Sequence, residues 1–102
     1  MIYVVATIEI EENKRDEFLK AFHENIPNVK AEDGCIEYGP AVDIPTDIAV
    51  QGPIRDNVVM VVEKWASVDH LKAHNIAPHM TAYREKVKDI VKKVSIKVLE
   101  PA

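Results

Sequence analysis

Strict alternation opens the chain. Along "IYVVATIEIE", residues 2–11, Ile2, Val4, Ala6, Ile8 and Ile10 fall on one face and Tyr3, Val5, Thr7 and Glu9 on the other. That period of two predicts a strand. The period then lengthens. In "ENKRDEFLKAFHENIPNVKAEDG", Phe18, Phe22, Ile26 and Val29 recur at helical spacing and predict one apolar stripe. Asn13 is the expected cap of this helix and Gly34 its expected stop, while Pro27 should bend or interrupt it. "CIEYGPAVDI" reads as a second strand, weakened by Gly39 and Pro40. Residues 43–47 read as a turn, "IAVQG" as a short strand and "PIRDN" as another turn. "VVMVVEKW", residues 58–65, is a strong strand. Ser67 suits the cap of a following helix, and Pro78 the first turn of a renewed one. Met80, Tyr83, Val87, Ile90 and Val91 then form a stripe, and "VSIKVLEP" closes the chain as a strand with Val94, Ile96 and Val98 on one face.

The resulting order is β-α-β-β-α-β, the ferredoxin-like arrangement of an α+β domain. A length of 102 residues predicts one domain over 1–102. In this order the first strand and the strand at 58–65 are central. Both carry apolar residues on both faces, yet helices cover only one. The other face would expose Tyr3 and Val5 with alternate members of the Val58–Val62 run. An open antiparallel face normally reads polar. The pattern therefore predicts a homodimer, sheet against sheet, over a monomer with a small lined pocket.

Composition narrows the function. Hydrophobic residues are 47% and charged residues 29%, ordinary for a soluble globular protein. The net charge of -4, with no basic stripe, argues against a nucleic-acid partner. The single cysteine, Cys35, excludes an intramolecular disulfide and a multi-cysteine metal site, and reads as a small buried hydrophobe. The N-terminus lacks a basic start and its apolar run is interrupted by glutamates, so neither a signal peptide nor a membrane span is expected. The expected location is cytoplasmic.

Candidate chemistry concentrates in "EKWASVDHLKAHNIAPHM", which holds three of the four histidines. His70 and His74 share a helical face, but "HLKAH" has Leu71 where the HExxH zinc signature needs glutamate. His79 lies beyond a break at Asn75–Pro78. No metal site is expected from this spacing, and each histidine has the ordinary alternative of a satisfied core-edge residue. No glycine-rich phosphate loop follows a strand, and neither Ser67 nor Ser95 has a nucleophile-elbow context. What remains is Tyr38, Glu63, Trp65, His70, His74, His79 and Tyr83, polar and aromatic groups on or beside an apolar sheet. Glu63 and Trp65 share a strand face. Such a cleft suits a flat aromatic molecule, and a histidine there suits removal of a phenolic proton near neutral pH.

Two longer stretches, "VVEKWASVDHLKAHNIAPHMTAY" and "KAEDGCIEYGPAVD", resemble the antibiotic-biosynthesis-monooxygenase (ABM) domain family. The shared pieces are a strand-borne E-x-W, the following H-L-x-x-H and P-H-M-x-x-Y, and an E-x-G-C after the first helix. Within that family the likeness is to the bacterial quinol monooxygenase branch, with a terminal run like "IKVLEP". The resemblance implies a dimeric α+β barrel with pockets between sheet and helices. It implies an oxygenase that joins a small aromatic, quinone-like substrate to molecular oxygen with no cofactor. His74 or His79 would be the base, and Trp65, Glu63, Tyr83, Tyr38 and His70 would bind substrate. Three other activities of the fold compete. A haem-degrading monooxygenase would use Trp65 and His74 but needs an asparagine where Thr7 stands. An isomerase of a phosphorylated autoinducer would need a placed cation, for which Arg84 and Lys72 are available. The third is a non-catalytic small-molecule-binding dimer.

Overall fold

The computed structural model describes residues 1–102. Strand β1 (Ile2–Ile10) keeps the alternation its sequence carries: Ile2, Val4, Ala6, Ile8 and Ile10 are all buried. It pairs antiparallel with β3 (Val58–Trp65), Ala6 opposite Val61, and with β4 (Val91–Leu99), Ala6 opposite Ile96. Strand β2 (Cys35–Ala41) takes the outer side of β3, with Tyr38 opposite Glu63. The sheet order is β2-β3-β1-β4. Helices α1 (Arg15–Lys30), α2 (Val68–Asn75) and α3 (Pro78–Val87) complete a β-α-β-β-α-α-β chain, the ferredoxin-like α+β fold with its second helical connection split in two. Phe18, Phe22 and Val29 of α1 and Met80 and Val87 of α3 meet the buried face of β1 and β3 in one core. Each such side chain, fully buried, contributes roughly 1.5–3 kcal/mol.

Four details depart from the expected elements. Asn13 does not cap α1. It sits at φ 64° in the preceding turn, and Lys14 stands at the cap with no side-chain bond. Asparagine tolerates the left-handed region, and the turn uses that tolerance in place of its capping oxygen. Pro27 does not interrupt α1, which runs through it to Lys30 without the bond that a residue-27 N–H would donate. "IAVQG" forms no strand, because residues 42–57 make a long loop. Arg55 closes that loop at its base, with Nε and Nη2 donating to the two carboxylate oxygens of Asp43 at 2.8 and 2.9 Å. Finally, α3 stops at Val87, so Ile90 lies in a turn and Val91 begins β4.

Register puts Val94, Ile96 and Val98 on the same sheet face as Ile8, Ala6 and Val4. They nevertheless stay about half exposed. The helices pack over β2 and β3, which leaves the β4 side of that face open. On the opposite face Tyr3, Val5, Met60 and Val62 are only partly covered. The two edges differ in composition: β2 carries Pro40, and β4 carries Lys92, Lys93 and Lys97.

Candidate active site

Three chain segments converge where the helices end. The turn after α1 carries Glu32 and closes at Gly34, whose φ of +79° is the left-handed region. A Cβ there would overlap the His70 ring, so glycine also provides clearance for α2. Helix α2 begins at Ser67, which is extended and accepts the N–H of His70 on its hydroxyl. One turn later α2 presents His74. Pro78 at the start of α3 then sets the direction in which His79 leaves.

Glu32, His74 and His79 meet. The Nδ1 of His74 lies 2.7 Å from Oε2 of Glu32, and the Nε2 of His79 lies 2.8 Å from the same oxygen. A carboxylate oxygen accepts, so the shared proton of His74 belongs on Nδ1 and its Nε2 keeps the lone pair. The His74 side chain is 4% exposed and that of Glu32 13%. Its ring packs 4.7 Å from Trp65 and 5.5 Å from Tyr38, centroid to centroid. Burial lowers the His74 pKa, and the hydrogen bond and charge of Glu32 oppose that shift. The net direction is downward, toward a neutral imidazole.

His74 forms part of the wall of a cavity of about 380 Å³ between the sheet and α3, open toward β4. Ala6, Ile8 and Val61 give its floor, and Phe22, Tyr38, Met80 and Tyr83 its sides. Phe22 stacks on Tyr38 at 5.3 Å and meets Tyr83 edge-on at 5.9 Å, a continuous aromatic wall. The polar lining includes Glu63, Asn75 and Arg84. Burial raises the pKa of Tyr38 and of Tyr83, so both hydroxyls stay protonated donors. Burial also raises that of Glu63, although the Trp65 indole N–H donates to its Oε1 at 2.9 Å and favours the anion. One cavity thus holds a histidine pushed toward its neutral form and a carboxyl pushed toward its own.

Of the residues singled out in the sequence, His74, Glu63, Tyr38 and Tyr83 come together on this cavity. Trp65 is fully buried behind His74 and does not line it. His79 faces a separate outer hollow of about 460 Å³ beside α1, where Asn25 and Asn28 also lie. His70 stands apart, its Nδ1 2.7 Å from the Ser67 hydroxyl and its Nε2 3.4 Å from Asp33. Sequence reasoning missed Glu32 as a partner and Phe22 and Met80 as lining, and offered Arg84 only as an available cation. The E-x-G-C stretch contains Glu32, but nothing in its spacing points at histidines 42 and 47 residues away.

A ferredoxin-like sheet with a half-buried aromatic cavity on its helical face is the frame of an α+β domain that can take a small molecule, and comparison with known proteins gives it a class. Residues 1–86 match the antibiotic biosynthesis monooxygenase family. The probable quinol monooxygenase YgiN of Escherichia coli (strain K12) is 38% identical over 103 residues, covering 99% of this chain and 98% of YgiN. The putative monooxygenase YcnE of Bacillus subtilis (strain 168) is 26% identical over 91 residues, 89% of this chain and 86% of YcnE. Among solved structures, a conserved protein from Methanosarcina mazei Go1 superposes with a TM-score of 0.82 at 20% identity, covering 99% and 92% of the two chains. Rv0793 from Mycobacterium tuberculosis superposes with 0.79 at 24%, covering 99% and 94%. The chain belongs to the antibiotic biosynthesis monooxygenase family and is a monooxygenase. No helix is long and apolar enough to cross a membrane.

Proposed function

We propose that the protein is a cofactor-independent quinol monooxygenase with His74 as its base. The observation that carries this reading is the buried His74 imidazole on the wall of an aromatic cavity, its Nδ1 fixed by Glu32 and its Nε2 left to accept a proton. The relationship to YgiN supports the substrate class. A hydroquinone lies flat against Phe22, Tyr38 and Tyr83. His74 takes one phenolic proton, with His79 holding Glu32 from the other side. The protonated hydroxyls of Tyr38 and Tyr83 are positioned to donate to the ring oxygens, Glu63 lies beside them on the cavity lining, and Trp65 backs the His74 ring. His70 supports α2 through Ser67.

The base serves a definite purpose. Triplet oxygen reacts poorly with closed-shell organic molecules, whereas a hydroquinone anion is electron-rich enough to give up one electron directly. The protein then has to deprotonate the ring, keep it from water and hold oxygen beside it. If the peroxy adduct loses water, a naphthoquinol and one O₂ give a hydroxynaphthoquinone and one H₂O. If peroxide leaves, the products are the naphthoquinone and H₂O₂. Both routes conserve atoms and electrons with no further reductant.

The working unit in this reading is a cytoplasmic homodimer of one domain over 1–102, joined by the partly apolar face that carries Tyr3, Val5, Met60 and Val62. The test is oxygen uptake with chemically reduced naphthoquinol in the presence of a chelator. Uptake above the protein-free rate, by colourless protein, is expected. No uptake, or activity restored by one added metal, refutes the proposal.

A further inference from the structure

The two imidazoles beside α1 do more than bond to a carboxylate: both aim at the same oxygen. Oε2 of Glu32 receives Nδ1 of His74 at 2.7 Å and Nε2 of His79 at 2.8 Å. The three donor atoms all lie within 4.8 Å of one another. Two imidazoles and a carboxylate converging on one point are a ligand set for a borderline divalent ion, with open positions left for water. At metal–ligand distances of about 2.0–2.2 Å, tetrahedral ligand atoms stand roughly 3.3 Å apart. The two nitrogen–oxygen spacings need to open by about half an ångström, and the two nitrogens, within 4.8 Å of each other, to close by at most about 1.5 Å to reach that. The set is sheltered, with His74 4%, Glu32 13% and His79 25% exposed at their side chains. The outer hollow beside His79 supplies the entry path.

We propose that Glu32, His74 and His79 form a binding site for one zinc-class divalent ion, and that the bound ion disables His74 as a base. The second half rests on the reading of His74 given above; the first does not. An ion on Nδ1 displaces the proton that this nitrogen donates to Glu32. A neutral imidazole carries one proton, which must then sit on Nε2. The nitrogen facing the substrate changes from acceptor to donor, with no net proton gained or lost by the ring. Zinc has no redox chemistry to replace the lost step, so the ion is an inhibitor rather than a working cofactor.

The test uses full-length metal-free protein without substrate, so that its outcome is independent of quinol turnover. Equilibrium dialysis against zinc, and titration with cobalt(II) followed by its visible d–d bands, should each give one ion per chain. Glu32→Gln and His79→Ala should each weaken binding by more than the about 10–100-fold that loss of an outer-shell partner costs. His23→Ala, at an exposed histidine of α1 outside the cluster, should bind as wild type. Nitrogen-resolved NMR of the unmodified protein gives a reading that no variant's misfolding can blur. The His74 ring proton should move from Nδ1 to Nε2 as zinc is added. Absence of saturable binding, binding that survives both variants or falls with His23→Ala, or a His74 proton that stays on Nδ1 would each overturn the proposal.

Discussion

Removal of His74 makes the sharpest test of the proposed chemistry, because the size of its effect follows from the substrate. A phenol ionises near pH 10, as tyrosine does, so at pH 7 only about one molecule in a thousand is already the reactive anion. A base that makes the bound anion available can therefore contribute up to about 10³-fold, or about 4 kcal/mol, within the usual range for general base catalysis. His74→Ala should lose that factor at pH 7, lose progressively less as the pH rises, and approach the wild-type rate near pH 10. The fold should survive, because Glu32 keeps His79 as a partner after His74 is gone. Added imidazole should restore part of the rate by occupying the space beside Trp65 and Tyr38. The assay is oxygen consumption with reduced naphthoquinol from pH 6 to 10, with spontaneous oxidation subtracted at each pH and folding checked by circular dichroism. A loss that is the same at every pH would mean that His74 acts through packing rather than proton transfer. An unchanged rate at pH 7 would remove it from the mechanism.

Three other perturbations probe the surroundings. Burial raises the Glu63 pKa, so between its unfolded and folded values the native state binds more protons, and the stability linked to that shift is present at low pH and lost as pH rises. Glu63→Gln keeps an acceptor for the Trp65 indole, so it should melt at or above the wild-type temperature at pH 8, with the advantage fading toward pH 4; a variant less stable at pH 8 would show that the buried carboxylate is well solvated. Val5→Glu places a charge on the partly covered sheet face and should convert a sedimenting dimer into monomer or unfolded chain, whereas a wild-type monomer at micromolar concentration would remove the dimer from the proposal. Gly34→Ala meets a left-handed φ and the His70 ring together and should cost about 1–3 kcal/mol, seen as a fall of about 4–8 °C in Tm per kcal/mol; an unchanged Tm would show that α2 shifts freely.

Local periodicity carried most of the fold. The alternation of β1, the Phe18–Phe22–Val29 stripe and the Ser67 cap are decided by neighbours within a few positions, and the structure keeps each of them. Errors arose where one residue serves two uses. Asn13 fits a cap and a left-handed turn equally, and only the path into α1 selects the turn. Val91 continues a helical stripe and also begins an alternating one, and pairing with Ile10 decides for the strand. "IAVQG" has strand composition, but no strand pairs with it. The site was legible in residue type and not in arrangement. Glu63 and Trp65 share a face as their spacing requires, yet Trp65 is covered by His74 while Glu63 lines the cavity. The partnership of Glu32 with His74 spans 42 residues and exists only because two helix ends meet.

The composition of the two sheet edges bears on how this molecule behaves in a crowded solution. At the β2 edge Pro40 lacks the N–H that an added strand would need, and at the β4 edge Lys92, Lys93 and Lys97 would be brought against the lysines of a second β4. Both ends of the hydrogen-bonded ladder therefore resist extension by another strand. The open sheet face has no such guard. Contact through a face is satisfied by a single partner, whereas contact through an edge leaves a fresh edge behind and can repeat without limit. The chain can thus keep an adhesive apolar surface without becoming a seed for fibres.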